Sequence, residues 1–302
     1  MDIHNGVQIL VTGATGFVGR NLIPALQTAG HTVRAGTRHP DDYDGPGEAT
    51  RIDLHDNPTL GRALEGCDAA YYLVHSMEAP GNFAERDRKA AVAFAEEAKA
   101  RGVKVVYLGG LGDLQESASR SEHLRSRHEV GCILREGAET VELRAAIVIG
   151  KGSASFEILR QLVDRLPIMV CPRWVTTRCQ PIASADVIRY LVGALDIPAG
   201  SYEIGGQDIF TYEQMMRIYA RVTHKRRFII KVPVLSPSLS SHWIGVITDQ
   251  SSAVARPLAD GLAVEVIVHD DRIRTLVPFQ PLGFEDAVRT ALEPEAPVPQ
   301  PT

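Results

Sequence analysis

Lysine is scarce in this chain, with six residues against 26 arginines in a total of 302. The formal net charge is −5. A protein that neutralises several nucleic-acid phosphates carries a basic face and a basic balance. Here the only short basic run is His224-Lys225-Arg226-Arg227, which reads as a solvated helix end, so no nucleic-acid partner is expected. The four cysteines, at 67, 132, 171 and 179, form no Cys-x-x-Cys pair. Neither a zinc site nor a disulfide framework is indicated, and a reduced cytoplasmic compartment is expected. No stretch reaches the roughly 18 consecutive apolar residues that span a bilayer. No basic segment leading into an apolar one opens the chain, so no stable membrane insertion is expected. The most apolar long region, 228–248, is interrupted by Lys231, Pro233, Pro237 and serines and reads as part of a substrate-side wall. A hydrolase elbow Gly-x-Ser-x-Gly is missing. His123 and His128 lie five apart without a carboxylate set at helical spacing, so no metal site is expected.

What is present is ordinary in amount: 44% hydrophobic and 23% charged residues suffice for a core without staples. The first half alternates short β-branched runs with longer amphipathic segments, the pattern of an α/β, doubly wound parallel sheet (a Rossmann fold) with helices on both faces. Strands are expected at Val7–Val11, Thr32–Gly36, Ala49–Ile52, Ala69–Val74, Val103–Leu108 and Val141–Ile149. Asn82 is placed to cap a helix running through Lys99, and His123 to Glu136 reads as another that ends at Gly137. Beyond Gly150 prolines punctuate shorter elements, with Ser184 and Thr211 placed as N-caps of two helices. The expected organisation is a dinucleotide-binding domain over 1–150, a smaller substrate-binding subdomain over 151–292 partly interleaved with the sheet, and a disordered tail over 293–302. Nothing in the sequence fixes an oligomeric state.

Thr12-Gly13-Ala14-Thr15-Gly16-Phe17-Val18-Gly19 follows the first strand and opens a helix. A dinucleotide pyrophosphate needs backbone N–H groups aimed from a helix N-terminus, and glycines that make the turn and let the phosphates approach. Pro24, some eight residues into that helix, removes a donor and is expected to kink it. After the second strand an acid grips a ribose diol, whereas an arginine accommodates a 2′-phosphate. This chain has Thr37-Arg38 there, with Asp41 and Asp42 beyond Pro40, so NADP(H) is expected over NAD(H), with Arg38 as phosphate ligand. Asp53-Leu54 is placed to meet the adenine. The strand ends Leu73-Val74 and Gly109-Gly110 complete the expected cofactor site.

The Thr-Gly-x-x-Gly-x-x-Gly spacing resembles that of extended and atypical short-chain dehydrogenase/reductases. Tyr107-Leu108-Gly109-Gly110-Leu111-Gly112, Leu143 to Gly150 and Tyr202-Glu203-Ile204-Gly205-Gly206 are similar to segments of the same superfamily. Tyr71 to Met77 and His123 to Gly131 resemble an atypical NAD(P)H-binding subgroup, labelled NmrA-like or nucleoside-diphosphate-sugar epimerase-like. The resemblance implies the fold and a nicotinamide cofactor. It also implies a Tyr-x-x-x-Lys pair that exchanges a proton with the substrate, and none of the eight tyrosines here has a lysine four residues on. At the corresponding helix His123 stands in the tyrosine's place and Arg127 in the lysine's. Histidine, with an ordinary pKa near 6.5, donates a proton near neutral pH, whereas arginine keeps its charge and holds a ribose. His75, after the fourth strand, is the other candidate acid. Ser153, Ser155, Phe156, Arg173 and Trp174 are the expected walls of the substrate pocket.

Three readings follow. The first is an oxidoreductase reducing a small, largely apolar carbonyl or enone. The second is a non-catalytic dinucleotide sensor or assembly factor. The third is a nucleotide-sugar epimerase-like enzyme, which the missing tyrosine-lysine pair disfavours.

Overall fold

The computed structural model describes residues 6–75, 83–112, 122–232, 249 and 261–293. Asn82 and all but the first residue of the expected tail lie outside them. The first half runs β1 (Gln8–Thr12), α1 (Phe17–Thr28), β2 (Thr32–Thr37), β3 (Glu48–Arg51), α2 (Asn57–Leu64), β4 (Ala69–Tyr72), α3 (Phe83–Arg101), β5 (Lys104–Gly110), α4 (Glu122–Gly137) and β6 (Thr140–Ala145). These strands join β11 (Gly200–Ile204) in a seven-stranded sheet of order β11-β6-β5-β4-β1-β2-β3, every pairing parallel. The order reverses between β1 and β4, the place where a doubly wound sheet opens a crevice at its carboxyl edge.

Alternation along each strand sends side chains to both faces. Ile9, Val11 and Tyr71 pack with Leu22, Ile23 and Leu26 of α1, while Leu10 and Tyr72 pack with Ala91 and Phe94 of α3. Both sides of these strands are therefore dry, which is why they read as nearly continuous apolar runs. The first face also takes Val187, Tyr190 and Leu191 from the C-terminal half, and the buried Tyr71 hydroxyl donates to the Leu191 carbonyl at 2.8 Å.

The remaining elements are β7 (Val148–Ile149), α5 (Ala154–Arg165), β8 (Ile168–Cys171), β9 (Arg178–Cys179), β10 (Ile182–Ala183), α6 (Ser184–Gly193), β12 (Phe210–Thr211), α7 (Tyr212–Val222), β13 (Phe228–Lys231), α8 (Ile273–Leu276) and α9 (Phe284–Leu292). Apart from β11, α6 and α8, which pack with the sheet, these C-terminal helices and short strand pairs form a smaller subdomain with its own core. Phe156, Leu159 and Leu162 of α5, Met215, Met216 and Tyr219 of α7, and Val288 of α9 build it.

Several local expectations are corrected. The sixth strand divides into β6 and β7, because Ala146 and Ile147 leave the main sheet and β7 pairs with β10 instead. The α6 helix is capped by Ala183, with Ser184 as its first residue, whereas Thr211 caps α7 in a full capping box with Gln214. The α1 helix runs without a break from Phe17 to Thr28 across Pro24. The part of the apolar region that is described, β13, exposes Phe228 and Ile230 instead of walling a pocket. No helix among the described residues is long and apolar enough to cross a membrane.

One glycine shows how tightly α4 sits on the sheet. A Cβ on Gly131 would lie 2.1 Å from Oε1 of Glu142, a carboxylate that is 1% exposed and ion-paired to Nε of Arg135 at 3.0 Å. Gly131→Ala is expected to lower unfolding stability by about 1–3 kcal/mol through overpacking. A urea midpoint equal to that of the unmodified protein would show that α4 can shift freely.

Candidate functional site

The carboxyl ends of β1 and β4 are held together by one hydroxyl. Oγ1 of Thr12 donates to the Tyr71 carbonyl at 2.9 Å and accepts from N–H of Leu73 at 3.1 Å. The chain then turns at Gly13, whose φ of +67° favours glycine, and N–H of Gly16 closes the turn on the Gly13 carbonyl at 2.9 Å. A Cβ at Gly13 would meet the Leu73 carbonyl at 3.2 Å, and one at Gly19 would meet the Gly13 carbonyl at 2.4 Å. No side chain caps α1 and no acid sits in its first turn. Its leading N–H groups therefore face the crevice with the positive end of the helix dipole, a cradle that suits a pyrophosphate.

Two chambers meet at this turn, sharing Gly13, Gly16, Leu73 and His75. One, of about 890 Å³, is bounded by Thr12, Thr15, Arg38, Asp53, Leu54 and Val74, as the sequence predicts, and also by Asp42, Arg86 and Asp87. Asp53 lines the chamber, and its Oδ1 accepts from N–H of His55 at 3.0 Å in a local turn. The other chamber, of about 540 Å³, is bounded by Phe17, Val18, Gly19, Gly109, Gly110, His75, His123 and Arg127 at one end. Ser153, Ser155 and Trp174 lie on its far walls.

Not every predicted residue reaches the cavity in the expected way. Phe156 is fully buried in the subdomain core, edge-on to Tyr219 at 6.1 Å, and does not line the chamber. Ser153 lines it, but its hydroxyl is committed to the Val148 carbonyl at 2.7 Å. Arg173 begins a 3-10 turn over Arg173–Thr176. Trp174 stands edge-on to Tyr212 at 5.9 Å, and its Nε1 finds no hydrogen-bond partner among the described residues. The walls that sequence reasoning missed are Leu159 and Leu162 of α5, Met216 of α7, and Leu262 and Val266. Their signal is the apolar periodicity of α5 and α7, which is the same for a core face and a cavity face.

The proton-donor expectation for His123 is also corrected. Its ring is 8% exposed and packs edge-on to His75 at 6.4 Å, close to the Arg127 guanidinium. Burial first, then Arg127 and His75, push its pKa down to about 3, so at neutral pH it is an uncharged imidazole. His75 has more exposed surface, yet burial of its ring, followed by the Arg127 charge, lowers its pKa to about 4, with a backbone hydrogen bond at His75 opposing the shift. Arg127 donates to the Leu108 carbonyl and lies 5.8 Å from the Tyr107 ring centre, while its buried Nε has no hydrogen-bond partner among the described residues. Tyr107 itself is core. Its hydroxyl donates to the Arg127 carbonyl at 3.0 Å, and burial pushes its pKa up to about 12.

Residues 9–129 match the model of the NAD dependent epimerase/dehydratase family. Over 94% of this chain and 97% of the other, the fold superposes on UDP-glucose 4-epimerase from Thermotoga maritima with a TM-score of 0.71 at 15% identity. The chain has the Rossmann-type fold, a parallel doubly wound sheet, that such solved structures share. A ceramide reductase of Caulobacter vibrioides is 26% identical over 74% of this chain and 73% of its own length. A mitochondrial NADH dehydrogenase [ubiquinone] 1 alpha subcomplex subunit 9 of Arabidopsis thaliana is 24% identical over 76% of this chain, and the match spans 61% of that protein.

The expected preference for NADP(H) is overturned. Among similar structures described with a cofactor, a Pseudomonas aeruginosa protein is complexed with NADPH. An Agrobacterium tumefaciens short-chain dehydrogenase/reductase superfamily protein holds NAD, another structure holds UDP-glucose and NAD, and an NDP-hexosamine 5,6-dehydratase is NAD dependent. The geometry gives a reason for the error. A 3-10 turn over Pro40–Asp42 carries Asp42 back onto the chamber wall that Arg38 shares, although Pro40 stands between them in sequence. A carboxylate at that wall repels a 2′-phosphate and suits a diol.

The His123 shift has a consequence for stability. Between pH 6.5 and about 3 the unfolded chain binds a proton at His123 that the folded chain does not. Stability therefore falls as pH drops through this window. His123→Phe is expected to flatten the acid side of the melting-temperature profile, and an unaltered slope would show that His123 is not the group responsible.

Proposed function

We propose that the protein is an NAD(H)-dependent oxidoreductase that interconverts a small, largely apolar carbonyl compound and its alcohol. The observation that carries this reading is the 540 Å³ chamber, apolar along most of its walls and opening directly on the glycine turn. Arg127 is the only lysine or arginine lining it among the described residues. That favours an apolar substrate over a sugar nucleotide, whose diphosphate needs several cations or helix ends of its own. Two of the similar proteins are named as reductases, a ceramide reductase and, over 25% of this chain, a dihydroflavonol 4-reductase, which supports a reductase reading.

The dinucleotide, when bound, supplies or accepts the hydride. The chain's own residues do the rest. The first-turn N–H groups of α1 hold the pyrophosphate, and Asp42 and Asp53 face the adenosine half. Gly109 and Gly110 allow backbone approach where a side chain would intrude. The free Nε–H of Arg127 and the neutral imidazoles of His75 and His123 provide donors and positive charge for a carbonyl oxygen that becomes negative. As hydride adds to the carbon, the oxygen takes its proton from water at the exposed His75 edge. Leu159, Leu162 and Met216 keep bulk water from the carbon.

The test is consumption of NADH against a panel of apolar aldehydes, ketones and enones. His123→Phe is expected to lower kcat about tenfold or more while leaving the dissociation constant of NADH unchanged. No histidine limb is expected in the rate between pH 5 and 8, because His123 stays uncharged there. If NADH binds but no carbonyl is reduced, the chain is a dinucleotide sensor.

A further inference from the structure

The β8–β13 pair presents an apolar face that no described residue of the subdomain covers. Phe228 is 68% exposed, Ile168 55%, Ile230 51% and Val170 41%. They form one patch, because the parallel register sets Phe228 against Ile168 and Ile230 against Val170. The alternate residues Met169 and Cys171 are buried in the core that also supplies the cavity walls Leu159, Leu162 and Met216. Alternation thus makes this a sheet with two apolar sides, and only one is filled.

We propose that this face docks on the surface of an anionic lipid bilayer. Charge is the first reason. The run His224-Lys225-Arg226-Arg227 leads directly into β13, and Lys231 ends it. Arg226 is exposed two residues before Phe228, on the same alternation. Lys225 and Lys231 are matched by Asp164 and Glu213, and the Arg227 guanidinium donates to the Val163 and Asp164 carbonyls, but the exposed Arg226 guanidinium has no acidic partner among the described residues. An apolar tip with a surplus of arginine at its edge suits a phosphate-bearing headgroup layer, where the apolar side chains enter the acyl boundary and the cations stay at the phosphates.

Size is the second reason. Two strands of four residues each make a face on the order of 13 Å by 10 Å. A stable protein partner buries about 800 Å² on each side, several times what this patch offers. A bilayer sets no such minimum, because it conforms around a small wedge and adds electrostatic attraction over a wider area. The placement gives the activity an advantage without depending on it: an apolar substrate is concentrated in membranes, and the patch lies on the outside of the core whose inner residues wall the chamber.

The full chain is to be sedimented with vesicles of phosphatidylcholine alone and with vesicles containing phosphatidylglycerol. Binding to the anionic vesicles is expected, reversed by added salt, with little binding to the neutral ones. F228T/I230T keeps β-branched residues in the strand and is expected to reduce the bound fraction about tenfold at an unchanged melting temperature. R226E is expected to do the same by charge alone. Failure of the unmodified chain to bind anionic vesicles overturns the proposal, and so does binding that survives both variants. Light scattering that shows a dimer dispersed by F228T/I230T would assign the face to a second copy of the chain and overturn it equally. Neither result bears on NADH oxidation, which stands or falls separately.

Discussion

The Thr12 hydroxyl between β1 and β4 is the constraint on which the site depends. At the reversal of a doubly wound sheet the two central strands continue as loops in different directions, and nothing in the ladder itself sets how far they part. Here one buried hydroxyl bonds Tyr71 on one side and Leu73 on the other, so the crevice has a fixed width at its base. Gly13 then fits against the Leu73 carbonyl only because it has no side chain, and Gly19 fits against Gly13 for the same reason. The result is a helix start with unfilled donors, aimed at the one gap in an otherwise dry sheet. Both chambers open from that gap, and their division of labour follows from it.

Much of this was legible in sequence because backbone geometry leaves a signature in residue type. A buried parallel strand must be apolar on both faces, so β1 and β5 stand out as runs, and a turn with positive φ and crowded carbonyls calls for glycine at set spacings. The helices α3 and α4 were legible for a similar reason, with glycines where they end. What was hidden depended on which side of an element faced a cavity. Phe156 and Leu159 lie on one amphipathic helix three residues apart, yet one is core and the other is wall. Hydrophobic periodicity cannot separate them, since both are apolar and inward.

Charge placement was hidden for a different reason. Asp42 follows a proline and lies four residues beyond Arg38, a separation that in an extended chain would carry it away from the second strand's end. A single tight turn cancels that separation. The cofactor preference thus turned on a local fold of three residues, although the acid itself was visible. The split of the sixth strand is similar, since Ala146 and Ile147 are apolar and compatible with a strand, yet in the fold they leave the sheet and line the chamber.

The loss of the tyrosine-lysine pair changes what the rest of the site must do. A tyrosine activated by a nearby lysine offers a proton whose acidity is tuned to the reaction. Histidine in its place would do so only if the site stayed wet and free of positive charge, and here it is neither. Burial and the adjacent Arg127 hold His123 uncharged, while the same Arg127 supplies a positive charge. Under the proposed function, the substitution exchanges proton delivery for electrostatic stabilisation: a guanidinium and neutral N–H groups would hold the oxygen, and protonation would move to the solvent edge at His75. Such a site works for a substrate whose oxygen can reach that edge while its apolar body occupies the dry end. The chamber has both kinds of wall, with His75, His123 and Arg127 among its polar residues and Leu159, Leu162 and Met216 among its apolar ones.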